Sequence, residues 1–253
     1  MSTKHSKASK AFLKDKEKSV WHDNTLWGVR VKRDRMAKGL DEWENLRELA
    51  SSIKKHTLTH LDEYLEKNVS PEKYAEYKNG FDNVYINYLS GANRSNAFVK
   101  CASLQGELEG AFGPELGLAD KLHELYPDKT FFIIKCAWGG TNLFEQWLSP
   151  SSDGKTGDLY KQFEAYVQSS IDYLISKNYN VKIEGMCWMQ GESDSFSVEH
   201  SENYAEHLNN FIEDVRKRFA KYASDDGIVF VDAYIAENPV FWVYYENVNR
   251  GKS

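Results

Sequence analysis

The chain has 253 residues, a net charge of −6, 41% hydrophobic and 28% charged residues, and only five prolines. That length suits one sizeable α/β domain, or a domain with an appendage. The acidic balance argues against nucleic acid or an anionic membrane as the partner, and no segment approaches the ~20 apolar residues of a membrane span. The three cysteines (Cys101, Cys136 and Cys187) match no metal spacing, and their odd number argues against a disulfide framework. Cys136 and Cys187 stand in apolar runs and are expected to be buried thiols. No cofactor and no metal is implied.

Met1 to Lys18 is rich in lysine and serine, lacks the apolar stretch of a secretory signal, and is expected to be disordered. A cytoplasmic location is therefore the default. A long helix is predicted from Asp41 to Leu65, with Asp41 and Glu44 as a capping box and Trp43, Leu46, Ala50 and Ile53 on its apolar stripe. His56 and His60 stand four apart on it, yet Thr57 occupies the place where a zinc-protease motif has glutamate, so a half-exposed helical pair is the better reading.

Beyond Pro71 the texture changes. Asn83 to Tyr88 reads as a strand, followed by a loop from Ser90 to Asn96, and Gly113-Pro114-Glu115 opens a helix running to about Leu125. Thr130 to Ala137 is a continuous apolar run that ends at Gly139-Gly140, as a buried parallel strand does. After a loop from Ser149 to Gly157, a helix carries Phe163, Val167, Ile171 and Leu174 on one face. Val181 to Met189 is a second buried strand. Tyr204 to Tyr222 is an amphipathic helix turning Leu208, Phe211, Ile212, Val215 and Phe219 inward, and Gly227 to Val231 is a third apolar strand leading to Asp232.

Alternating strands and helices imply an α/β fold with a parallel sheet flanked by helices, preceded by an N-terminal helical segment. The expected division is residues 1–80 for that segment and 81–253 for the α/β domain. Ligands of such sheets bind at the carboxyl ends of the strands. This selects the loops Trp138-Gly139-Gly140-Thr141-Asn142 and Gln190-Gly191-Glu192-Ser193-Asp194, and the turn after Asp232. Small and amide residues dominate the first two, as an oxyanion-binding rim requires.

Three blocks carry a specific resemblance: Phe112-Gly113-Pro114-Glu115-Leu116-Gly117, Ala137-Trp138-Gly139-Gly140-Thr141-Asn142, and Cys187-Trp188-Met189-Gln190-Gly191-Glu192-Ser193-Asp194. Residues 82–240 resemble the SGNH-type carbohydrate esterases related to sialate O-acetylesterase and acetylxylan esterase. The resemblance implies an SGNH- or flavodoxin-like sheet, incomplete at both ends, and an acetylated carbohydrate as substrate. It places Gly140 (or Gly139) and Gln190 at the oxyanion and makes Glu192 a supporting carboxylate. Gly139, Thr141, Asn142, Trp188 and Asp194 become substrate-facing residues. The family's nucleophile lies in a Gly-Gln-Ser-Asn block after the first, interior strand, and its histidine in a later Asp-x-x-His block. Neither block is found, and the interior strand itself is expected to be missing.

Two serines remain as nucleophile candidates. Ser95 stands in Ala92-Asn93-Arg94-Ser95-Asn96, after a strand but downstream of the family's nucleophile position and with Arg94 in place of its glutamine. Ser193 stands in a Gly-x-Ser-x stretch resembling a nucleophile elbow, with Ser195 in place of the closing glycine. With no base in view, the expected enzyme is an acetylesterase lacking turnover. The alternatives are a carbohydrate-binding remnant with an aromatic cleft of Trp138, Trp147 and Trp188, or a chain joining pieces of two families. The last is motivated by residues 20–68, including Leu26-Trp27-Gly28-Val29-Arg30 and His56 to Leu65, which resemble the helical leader of lactate-utilisation iron–sulfur proteins. That family's cysteine motifs are not matched, so no cluster follows.

Overall fold

A computed structural model describes residues 65–107 and 111–253. The expectations for Met1 to Lys18, the Asp41 helix and the His56/His60 pair fall outside the described residues. Helix α1 spans Pro71–Asn79. Its start follows from local chemistry: Ser70 Oγ accepts the Lys73 N–H at 3.2 Å, and Pro71 occupies the first turn, where no N–H is needed. Gly80 ends it with φ +79°, and a Cβ there would lie 2.7 Å from that of Lys100.

Strand β1 (Val84–Ser90) pairs antiparallel with β2 (Asn93–Arg94) and β3 (Val99–Lys100), with Leu89 opposite Arg94 and Tyr85 opposite Lys100. Strand β4 (Phe131–Ala137) also pairs with β1. Helix α2 spans Glu115–Leu125, α3 Asp158–Ser176, and α4 Val198–Arg218. Strands β5 (Gly185–Trp188) and β6 (Val229–Asp232) form a separate parallel pair, and α5 (Tyr245–Gly251) follows.

The mixed α/β class stands, but the single parallel sheet read from the sequence does not describe these pairings. β1 pairs antiparallel with both β2 and β3, and the parallel β5–β6 ladder is recorded as a sheet of its own. β1 has β2, β3 and β4 as partners, so it is itself an interior strand.

The described residues divide into two compact units. The first takes in the described chain up to Ile86 together with Phe98–Ile133. Its core gathers Phe81, Val84, Ile86, Cys101, Leu116 and Ala119. The second comprises Asn87–Ala97 and Ile134–Ser253, so the division runs through residues 81–253. In its core the predicted α3 stripe (Phe163, Val167, Ile171, Leu174) is buried, as are Tyr204, Leu208, Phe211, Val215 and Phe219 of α4. Phe211 stands 4.6 Å from Trp188 and 5.7 Å from Tyr160 between ring centroids. Each fully buried ring or branched chain contributes about 1.5–3 kcal/mol of transfer free energy.

Two strand expectations change here. The runs Val181 to Met189 and Gly227 to Val231 contract to β5 and β6, and they are not buried on both faces. Trp188 faces the core, while Cys187, Val229 and Val231 are exposed on the other side. Cys187 is therefore not the buried thiol expected. Cys136 is half-buried, and burial pushes its thiol up to about 12. No helix among the described residues is long and apolar enough to cross a membrane.

Candidate active site

Within the second unit, the loops at the carboxyl ends of the strands are tied in a row. The Gly91 N–H, just after β1, donates to Ala137 O at the end of β4 at 2.9 Å. Gln190 Nε2, after β5, donates to Thr141 O at 3.0 Å. The Ala233 N–H, after β6, donates to Trp188 O at 3.3 Å. The three loops selected from the sequence are thus brought together, and the β1–β2 hairpin carrying Ser95 joins them.

Gly139 and Gly140 are exposed at the tip of the first loop. Gly140 has φ +70°, a Cβ there would meet nothing within 4 Å, and its N–H makes no hydrogen bond to the described residues. The next two residues fasten the turn itself. Thr141 Oγ1 donates to Trp138 O and accepts from Trp147 Nε1, both at 2.8 Å, while Asn142 Oδ1 accepts the Glu145 N–H at 2.8 Å.

Asp194 is the hub beneath. It is fully buried and accepts from the Leu143 N–H (2.9 Å), the Phe144 N–H (3.1 Å) and Gln190 Nε2 (2.5 Å). Burial pushes its carboxyl above the usual range, against the opposing pull of the Gln190, Leu143 and Phe144 donors. Gln190 is nearly buried and has its amide fully engaged. Nε2 gives one hydrogen to Asp194 and one to Thr141 O, while Oε1 lies 3.2 Å from the Tyr204 hydroxyl. Glu192 is half-buried and its main-chain oxygen accepts the Ser195 hydroxyl at 2.7 Å.

The far side of this loop is closed by α5. Lys252 Nζ donates to both oxygens of Asp232, at 2.7 and 2.9 Å, and the two side chains are 1% and 10% exposed. Gly191, at φ +141°, packs so closely that a Cβ would stand 2.6 Å from Val248. Burial lowers Lys252 and raises Asp232, each countered by the other's charge.

The serine candidates differ in setting. Ser95 directly follows β2 in the hairpin that β2 forms with β1. Its Oγ accepts the Tyr88 N–H at 3.0 Å and donates to Asn87 Oδ1 at 3.0 Å. Asn87 in turn accepts from the Tyr166 hydroxyl at 2.8 Å and donates to Ser170 at 2.9 Å. Ser193 sits on the Gln190 loop, half-buried, and caps the short 3-10 turn Asp194–Phe196 without a side-chain hydrogen bond to it. His200 and His207 of α4 both pack on Phe144, with ring centroids at 4.2 and 5.3 Å, and the Nδ1 of each is buried without a partner.

Two residues expected to face substrate are enclosed. Trp188 is 8% exposed, against Trp147 at 5.4 Å and Phe211 at 4.6 Å, so its ring has no open face for a sugar. Asp194, with no exposed surface, ties loops together. Trp147 is likewise a core residue, which removes it from any aromatic cleft. Sequence reasoning missed Tyr204 and Lys252. Tyr204 belongs to an ordinary amphipathic stripe and Lys252 is one lysine among many, so neither carried a signal.

A family model described as a carbohydrate esterase, sialic acid-specific acetylesterase, matches residues 95–247. The span begins at Ser95 and contains the other candidate site residues. A probable 9-O-acetyl-N-acetylneuraminic acid deacetylase of Escherichia coli (strain K12) is 27% identical over 127 residues, which cover 46% of this chain and 37% of that protein. The chain thus spans well under half the length of this relative. Among solved structures, NanS aligns with a TM-score of 0.49 at 19% identity, covering 69% of this chain and 68% of that one. A protein from Arabidopsis thaliana aligns with a TM-score of 0.48 at 18% identity, covering 66% and 62%.

Proposed function

The chain belongs to the sialic acid-specific acetylesterase family of carbohydrate esterases, and from that premise we propose that it cleaves O-acetyl esters of a carbohydrate by an SGNH-type serine mechanism. Residues 81–253 form the esterase-like segment in this reading, and Ser95 is the nucleophile. The single observation that carries it is the row of hydrogen-bonded strand-end loops, with the Gly140 N–H left open at its rim. The name of the bacterial relative suggests a sialic acid bearing a 9-O-acetyl group as the first substrate to try.

Ser95 Oγ would attack the acetyl carbon, with its proton passing through solvent water to the departing sugar oxygen, and water would then release acetate from the acetyl-serine. The attack would place negative charge on the carbonyl oxygen before the acetyl–sugar bond breaks. The Gly140 N–H is free to receive it. Gln190 can add a second donor only by exchanging one bond. Its contact with the neutral Thr141 carbonyl is the weaker of the two, because the bond to Asp194 is charge-assisted. We therefore assign the exchange to the Thr141 side, with Asp194 keeping the amide in place. A lost oxyanion donor costs about 3 kcal/mol, on the order of 10²–10³ in kcat.

A fluorophosphonate probe tests the nucleophile directly. Peptide mapping is expected to find the label on Ser95 and none in Ser95→Ala; a label on Ser193, or on no serine, would overturn the assignment. One observation favours a second reading, binding without turnover. No histidine is among the hydrogen-bond partners of Ser95, and His200 and His207 are packed on Phe144. Measurable binding of an O-acetylated sialic acid with no acetate release would select that reading.

A further inference from the structure

We infer that Tyr204 is a positioning residue for Gln190, holding its side chain and main chain together at the substrate rim. Tyr204 has no exposed surface, and its hydroxyl donates to the Gln190 main-chain oxygen at 2.9 Å while lying 3.2 Å from Gln190 Oε1. One hydroxyl therefore addresses both the backbone and the side chain of a single residue. The amide has two donors on nitrogen and acceptor sites on oxygen. Its nitrogen meets the two acceptors Thr141 O and Asp194 Oδ2, and its oxygen shares the single Tyr204 hydroxyl proton with the Gln190 main-chain oxygen. Reversing the amide would set Oε1 against the Asp194 carboxylate and Nε2 against the hydroxyl. Asp194 and Thr141 oppose that reversal, and Tyr204 ties the side chain so oriented to the Gln190 main chain through its shared proton.

Tyr204 is itself held from two sides. It rises from α4, whose apolar stripe is buried, and Lys252 Nζ sits 5.3 Å from its ring centroid, anchored by Asp232. The phenol stays protonated, since burial raises its ionisation far above the ordinary range. It therefore remains a donor through the whole pH span in which an ester can be assayed. Without the hydroxyl, both Gln190 oxygens lose that shared donor, and the side chain is held by Asp194 alone once it leaves Thr141 O. Tyr204 reaches no substrate; it acts through Gln190.

The kinetic half of this inference rests on the esterase reading, and the spectroscopic half does not. The full chain, labelled with side-chain 15N-glutamine, is compared as wild type and Tyr204→Phe, with Gln190→Leu identifying the Gln190 amide pair. The wild-type pair is expected to exchange slowly with water, and in Y204F at least roughly ten-fold faster. With p-nitrophenyl acetate, Y204F is expected to lose about a hundred-fold in kcat, with KM kept within about two-fold. An amide pair unchanged in Y204F overturns the inference, as does a variant whose loss lies in KM alone. A wild type inactive on the ester defeats the esterase reading, and the amide exchange still decides the role of Tyr204. If Y204F does not fold, 3-fluorotyrosine at position 204 keeps the shape while altering the donor. The Gln190 pair should then shift, and an unmoved pair counts against the inference.

Discussion

The two units differ in how enclosed their tightest charged ties are. In the first, the ion pairs are part-buried or exposed: Lys73 with Glu76 at 2.7 Å, Lys73 with Asp120, and Lys100 with Asp82 at 2.5 Å, where the side chains of the last pair are 47% and 86% exposed. Such pairs are worth about 0–1 kcal/mol each. In the second unit, Asp194 has no exposed surface, Gln190 is nearly buried, and the Lys252–Asp232 pair is almost wholly enclosed. Every candidate site residue lies in this second unit. Buried polar groups are costly unless each finds its partners. A network of this kind at strand ends is where loop geometry is specified, whereas exposed pairs can change with little consequence.

The contrast can be broken most sharply at Lys252. Replacing it by alanine leaves Asp232 buried and unpaired, and urea unfolding should show a loss of about 3–5 kcal/mol. The double change Lys252→Met with Asp232→Leu should recover most of that loss, because an apolar pair of similar size avoids the desolvation cost. A double variant as unstable as the single one would mean the pair does more than neutralise charge. Gly191→Ala comes next, at about 2 kcal/mol, from the positive φ and the clash with Val248. Thermal melts would show it, and a silent substitution would mean α5 can move aside.

In the first unit, Asp120→Asn should cost under about 1 kcal/mol, because Lys73 and Asp120 are partly solvated. A loss as large as that of Lys252→Ala would erase the distinction between the units.

Acid should also separate them. Burial works to raise Asp120, but Lys73 and Tyr77 outweigh it and hold the carboxyl below the usual range. Its contribution is therefore present above the unfolded value, near 3.9, and lost as pH falls through the lower folded value. Asp194 runs the other way. Its folded value is raised, so its contribution declines as pH rises from about 3.9 through that raised value, and acidification returns it. Amide exchange below about pH 4 should open α1 and α2 before the Leu143–Phe144 turn. The reverse order would contradict these directions.

What the sequence revealed follows physical lines. The α3 stripe was legible because one face repeats at helical spacing and is buried as a whole. Strands β5 and β6 were found but misjudged, since an apolar run reads alike whether one face or both are covered; Cys187, Val229 and Val231 lie on the open side. Helix α4 begins at Val198, six residues before the predicted start, because its first turn is polar and its cap Ser197 stands in a serine-rich stretch. Helix α1 was missed despite Ser70-Pro71, a sound start signal ahead of a short and mostly polar segment. The site loops were visible through their glycines and amides. Their supports were not, because whether Tyr204 or Lys252 reaches Gln190 or Asp232 is settled by packing among distant elements. The same holds for Ser95: its place beside an interior strand depends on which strands pair with β1.

The most direct test is acetate release from an O-acetylated sialic acid, followed by proton NMR, for the wild type and Gln190→Ala side by side. The account predicts release by the wild type and a fall in kcat on the order of 10²–10³ in the variant, with the fold retained. Undiminished release by Gln190→Ala would contradict it, as would a folded wild type that releases none.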